Sequence, residues 1–141
     1  MEEPRTFQCE AIIEKLDGFW VSHCPMFDIV SQGNSPTEAA LMIREAVALS
    51  LADDLVKGLD PYGREPDEEA VARLRSYREK GSSVNGLPEA DLEGKHIWIV
   101  GWDLTFKIEY PEQAQPLDDA HPLEQAQPLE SHYRAIAADA A

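Results

Sequence analysis

The chain has 141 residues, 43% of them hydrophobic, which allows one modest core with appendages. Its 27 acidic residues against 12 basic ones give a formal charge of −15. This balance argues against binding to a nucleic-acid backbone, which requires clustered lysine and arginine. It suits a basic partner, although an acidic surface can also serve solubility alone.

The N-terminus and the cysteines indicate the cellular compartment of the protein. The chain opens with Met1 and two glutamates, where a secretory signal would have basic residues, and no apolar run approaches the roughly 18 residues of a membrane span. Cys9 and Cys24 fit no zinc pattern. We therefore expect a cytoplasmic protein with reduced cysteines.

The first predicted elements are two strands. Alternate apolar side chains in residues 6–14 indicate a half-buried strand, and residues 19–23 form a second strand after a turn at residues 16–18. A three-residue loop would place the apolar residues of both strands on one face. In that register Ile12 and Trp20 lie on the opposite face.

A short third strand at residues 29–33 leads to a helix over residues 35–57. Ser35 is its predicted cap, followed by proline at the first helical position and by Glu38. Its core stripe is Ala40, Ile43, Val47 and Leu51. A second apolar stripe, seven residues apart, is Met42, Leu49 and Val56. It either widens the core face or mediates self-association into a homo-oligomer.

The rest of the chain is predicted to add a second helix, further strands and a tail. The helix covers residues 67–80, within an insertion or linker at 58–95. Residues 95–100 and 105–110 read as two paired strands or one strand interrupted at Gly101. These elements complete an α+β domain over residues 1–110. The tail, 111–141, contains three Pro/Gln/Ala-rich hexapeptides that favour an extended chain, and its last segment, 131–141, is helix-prone.

No catalytic, cofactor or metal constellation emerges from the residue spacing. The four histidines form no ligand pair, and Ser22, His23 and Cys24 alternate between the two faces of one strand. The glycine-rich segment 81–86 lacks the lysine of a phosphate-binding loop and reads as a linker. We therefore predict a binding protein and not an enzyme. The predicted partner-binding residues are Asp17, Trp20, Phe27 and Asp28, with cover by the chain itself as the alternative.

Three segments resemble the HicB family of antitoxins. Residues 11–25 read AIIEKLDGFWVSHCP, residues 30–33 read VSQG and residues 35–40 read SPTEAA. The family shows an I-E-x-D-x-D-G-x-W/Y-V hairpin, a short P-x-x-P-G-C segment, and an S-x-G-D-T/S-x-E-E-A entry into a long helix. The resemblance covers residues 6–57, and it departs from the family at 26–29, where MFDI replaces the usual L-P-G-C.

The resemblance implies a partial RNase-H-like βββαβ fold, a three-stranded antiparallel sheet with a packed helix, without the nuclease's catalytic acids. It also implies neutralisation, by direct binding, of a small basic RNA-cleaving toxin of the HicA type, often by an oligomeric antitoxin. No ribbon-helix-helix or helix-turn-helix follows, and acidic residues outnumber basic ones after residue 95, which argues against direct DNA binding. The alternative is a stand-alone acidic inhibitor of the phage anti-defence type, which occupies the nucleic-acid-binding surface of a host complex.

Overall fold

The computed structural model describes residues 4–85, 96–107 and 134–138. The strands are β1 (Arg5–Leu16), β2 (Phe19–Cys24), β3 (Ile29–Gly33), β4 (Ser82–Asn85), β5 (Ile97–Phe106) and β6 (Arg134–Ala138). The helices are α1 (Pro36–Val56) and α2 (Glu68–Lys80), with a 3₁₀ turn at Pro61–Gly63 between them. The predicted α+β class is confirmed. Within these ranges no helix has both the length and the hydropathy that a membrane crossing requires.

The strands form one antiparallel sheet in the order β3-β2-β1-β5-β6-β4. The sheet is therefore larger than the three strands predicted. The later apolar segment joins the sheet, as expected. It pairs with β1 as a single continuous strand that passes through Gly101. The two stretches therefore do not pair with each other, and the predicted interruption at Gly101 is absent from β5; residues 108–110 lie outside the described residues.

Two segments differ from their predictions. Ser82–Asn85 was expected to belong to a linker but forms strand β4, and part of the helix-prone end of the tail forms strand β6 between β5 and β4. A short isolated helix gains little stability from its own hydrogen bonds, whereas the open edge of β5 offers backbone partners. The hexapeptide repeats, residues 112–129, lie outside the described residues.

The β1–β2 hairpin closes through a two-residue turn. Asp17 and Gly18 both have positive φ angles, 46° and 86°, and Leu16 lies opposite Phe19. Positive φ at both central residues is typical of the type I′ turn, which aspartate–glycine pairs favour. The predicted three-residue loop is therefore wrong, and the two faces of β2 are exchanged relative to the prediction. Trp20 lies on the inner face of the sheet and Phe19 on the outer face.

Helix α1 begins and ends as predicted. The Ser35 hydroxyl accepts a hydrogen bond from the Glu38 backbone N–H at 3.0 Å, and the Glu38 carboxylate accepts one from the Asn34 N–H at 2.9 Å. Gly58 follows the helix with a φ of 77°. The helix packs on the inner face of the sheet, and its predicted core stripe is fully buried: Ala40, Ile43, Val47 and Leu51.

Helix α2 covers part of the outer face. Leu74 and Tyr77 pack there in a second, smaller apolar cluster with Ile12, Ile97 and Ile99. The predicted outward direction of Ile12 is therefore correct, and the cover comes from the chain itself. Asp67 caps this helix by accepting a hydrogen bond from the Ala70 N–H at 3.1 Å.

Candidate protein-binding surface

Two of the four residues predicted to contact a partner lie in the hydrophobic core. Trp20 is 4% exposed and Phe27 is 1% exposed. Phe27 packs edge-on against Phe7, with ring centroids 6.4 Å apart. The prediction that Trp20 faces outward is wrong, because the tight turn shifts the register of β2 by one residue. Neither aromatic ring can act as an exposed anchor.

The other two predicted residues, Asp17 and Asp28, are exposed at opposite ends of β2. Asp17 lies in the β1–β2 turn, and Asp28 lies in the β2–β3 connection with a φ of 52°. The intervening strand has six residues, which makes it about 20 Å long. The predicted four-residue site is therefore not a single cluster, and its two acids mark the ends of β2.

Between these two acids, the outer face of the sheet carries an apolar patch. This outer-sheet patch consists of four side chains: Leu16, Phe19, Val21 and Val30. Leu16, Phe19 and Val30 are 52%, 50% and 58% exposed, and Val21 is half-buried. The strand pairing explains this placement, because residues paired directly across a sheet share a face and alternate residues of β2 point into the core.

No described element covers the outer-sheet patch, because α2 lies over a different part of the same face. Arg73 of α2 pairs with Glu14 at 2.9 Å, and Arg78 pairs with Glu10, so both ion pairs attach α2 to β1. The apolar side chains of α2 pack on β1 and β5. The β2–β3 half of the face therefore presents apolar side chains to solvent, next to the edge strand β3. Clustered exposed apolar groups of this kind are common in protein contact surfaces.

A second exposed apolar group lies on the solvent side of α1. This α1 outer stripe comprises Met42 and Leu49, 43% and 51% exposed, and the half-buried Val56. These are the residues predicted for self-association, and the alternative of a wider core face does not hold for Met42 and Leu49. The stripe is flanked by exposed acids, including Glu45 and Asp53. Facing copies of α1 would therefore bring like charges together.

The Ser22, His23 and Cys24 side chains alternate as predicted. Ser22 and Cys24 are buried on the inner face, and His23 lies on the outer face. Burial raises the pKa of the Cys24 thiol to about 12, so the thiol stays protonated near neutral pH. The neighbouring hydroxyl, imidazole and thiol therefore do not form a nucleophile–base pair.

The structure brings together three possible metal ligands that the spacing of residues in the sequence did not predict. His23, Asp28 and Asp67 bring their ligand atoms within 4.8 Å of one another. They come from β2, the β2–β3 connection and the cap of α2. Asp67 is distant in sequence, and only the docking of α2 on the sheet brings it to the other two.

No protein-family model matches this chain, and neither a curated protein nor a solved structure matches it.

Proposed function

We propose that this protein is a non-catalytic binding protein, a HicB-like antitoxin that neutralises a basic, HicA-like RNA-cleaving toxin by direct contact in the cytoplasm. The observation that carries the proposal is the outer-sheet patch on a chain of charge −15. The resemblance of residues 6–57 to the HicB family supplies the class of partner.

The patch and the charge have different roles in this proposal. Long-range attraction between the acidic chain and a basic partner speeds their encounter, whereas exposed ion pairs add little net affinity. Affinity requires apolar side chains that are buried on binding, and Phe19, at the end of the patch nearest the β1–β2 turn, is the largest of them. Asp17 and Asp28, at the ends of β2, would contact basic groups at the rim.

We also propose that the HicB-like partial RNase-H arrangement describes the first part of the fold. The order β1-β2-β3-α1, followed later in the chain by a strand beside β1, supports it. The additional strands β4 and β6 would then be an extension of that arrangement.

Self-association through the α1 outer stripe is a separate part of the proposal. Met42 and Leu49 are exposed on the side of the helix that points away from the sheet. A second copy could bury them through a two-fold symmetric contact. This surface and the outer-sheet patch lie on opposite sides of the protein, so both could be occupied at once.

The proposal is tested with the full chain and a purified HicA-like RNase. Binding is measured by biolayer interferometry, and cleavage of a labelled RNA is measured with and without the protein. We expect the protein to suppress cleavage and the association rate to fall as salt rises. The Phe19→Ser variant should lose inhibition, whereas Leu59→Ser, which removes a side chain of similar exposure (57%) from the loop after α1, should retain it.

The alternative function is that of a stand-alone acidic inhibitor of a nucleic-acid-binding host complex. The charge of −15 favours it, because clustered carboxylates can occupy a surface that otherwise binds phosphates. A competition assay distinguishes the two. Release of bound nucleic acid from a guided complex, combined with no effect on a HicA-like RNase, would favour the alternative.

A further inference from the structure

Three side chains from different parts of the fold lie close together beside the β2–β3 connection. His23 lies on the outer face of β2, Asp28 follows in the connection, and Asp67 is the cap of α2. Their ligand atoms all lie within 4.8 Å of one another, and the His23 Nε2 is 2.9 Å from the Asp28 Oδ1. The group adjoins one end of the outer-sheet patch, because His23 is the cross-strand partner of Val30, and it lies apart from the α1 outer stripe.

Backbone hydrogen bonds hold the two aspartates in place. The carbonyl oxygen of Pro25, a buried residue, accepts the N–H of Asp28 at 3.3 Å and the N–H of Asp67 at 3.0 Å. One buried acceptor therefore holds the backbone of both aspartates close together beside β2. His23 is also restrained, since its side chain is only 14% exposed. The fold therefore sets the backbone positions of both aspartates and restrains His23, while the Asp28 side chain, 56% exposed, remains free to rotate towards an ion.

The donor set suits a divalent transition metal. One imidazole nitrogen and two carboxylate oxygens are ligands of Zn²⁺ and related ions, whereas Mg²⁺ and Ca²⁺ prefer oxygen alone. With metal–ligand bonds of about 2.1 Å, adjacent ligand atoms lie roughly 3 to 3.5 Å apart. The His23 Nε2–Asp28 Oδ1 distance of 2.9 Å is close to this range, and the other pairs lie within 4.8 Å, so side-chain rotations would be needed to complete the site.

The charge of the three side chains also suits a divalent cation. Two carboxylates and a neutral imidazole carry a charge of −2, which a divalent cation would balance. Within the described part of the chain, neither Asp28 nor Asp67 pairs with a lysine or arginine. The positive end of the α2 dipole opposes a cation, but Glu68 and Glu69 in the first helical turn offset it.

We infer that His23, Asp28 and Asp67 form a binding site for a divalent transition metal ion, with Zn²⁺ as the best-suited member of the class. Three protein ligands leave a further coordination position at the exposed side of Asp28 for water. The bound ion would join the β2–β3 connection to the N-terminus of α2. Its role is structural, since it would lock α2 onto the outer face of the sheet.

The test uses the full-length protein, freed of metal with a chelator and titrated with ZnCl₂ by isothermal calorimetry. We expect one site whose occupation raises the thermal unfolding temperature. Asp28→Asn and His23→Gln should each weaken this site by at least about tenfold, since even changes to residues behind the ligands typically cost that much. Both replacements preserve side-chain size, and asparagine tolerates positive φ, so the variants should fold.

Asp17→Asn is the matched control, because Asp17 is likewise an exposed turn aspartate with positive φ. It should bind Zn²⁺ as the unchanged protein does. The tail also contains His121 and His132, which could bind zinc by themselves. If Asp28→Asn and His23→Gln bind with unchanged affinity, the ion lies elsewhere and the inference is wrong. Failure of the unchanged protein to bind at millimolar zinc would also overturn it.

Discussion

Replacing Phe19 by serine tests whether the outer-sheet patch is the contact surface. The ring is 50% exposed in the free protein. A partner that covers the exposed half of the ring would bury roughly 100 Å² of apolar surface. At 25 cal/mol per Å², this burial contributes about 2.5 kcal/mol to the binding free energy. Phe19→Ser should therefore weaken binding by about 60-fold. Since the ring is half-exposed already, the free energy of unfolding should change by only about 1 kcal/mol.

Trp20→Ala provides the contrast at the neighbouring position. Trp20 is 4% exposed in the core, so its truncation should lower the free energy of unfolding by about 3 to 5 kcal/mol. At a temperature where this variant remains folded, its affinity for a partner should be close to that of the unchanged protein. The two adjacent aromatic residues are thus expected to affect different quantities.

Two measurements check this pair of expectations. Urea unfolding followed by tryptophan fluorescence gives the stability of each variant, and biolayer interferometry with the HicA-like RNase gives the dissociation rate. Phe19→Ser should act mainly by speeding dissociation, as loss of a buried anchor does. A Trp20→Ala variant that is fully stable but binds weakly would refute the reasoning, because it would place Trp20 at the interface.

Three further expectations concern charge and burial. Leu49→Lys should reduce self-association in sedimentation, and self-association of the unchanged protein should strengthen as salt screens the acids beside the α1 outer stripe. Asp54→Asn should lower the free energy of unfolding in urea by about 2 kcal/mol, because Asp54 is 7% exposed and accepts two hydrogen bonds from Arg64, at 2.8 and 3.2 Å. Burial raises the pKa of Cys24 from 9.0 to about 12, so the unfolded chain loses the thiol proton first and stability should fall as pH rises above 9. Cys24→Ala should reduce this loss in thermal melts at pH 8 and pH 10, and an unchanged slope would contradict the assigned cause.

Local signals predicted the helices well because their causes are local. The cap of α1 is formed by Ser35 and Glu38, residues three apart, and the helix begins where that pair indicates. Asp67 caps α2 in the same way. The alternation of apolar residues in β1 likewise reports a buried inner face, which α1 covers. In each case the decisive contact lies within a few residues of the signal.

The remaining features depend on contacts between distant segments. Strand β6 pairs with β5 although more than 25 residues separate them, and its own composition favours a helix. Periodicity within a segment carries no information about an open strand edge elsewhere. The same holds for Asp67, whose approach to His23 depends on the docking of α2 on the sheet.

The largest error in the predicted site came from a single turn. A side chain in a strand changes face with every residue, so a loop shorter by one residue exchanges the entire inner and outer sets of the following strand. Asp17 and Gly18 are the pair that a two-residue type I′ turn favours, and this local preference outweighs the apparent gain from placing Phe19 inside. The exchange buries the larger ring of Trp20 under α1 and leaves Phe19 at the surface. The turn thereby determines which aromatic side chain stabilises the fold and which is available to a partner.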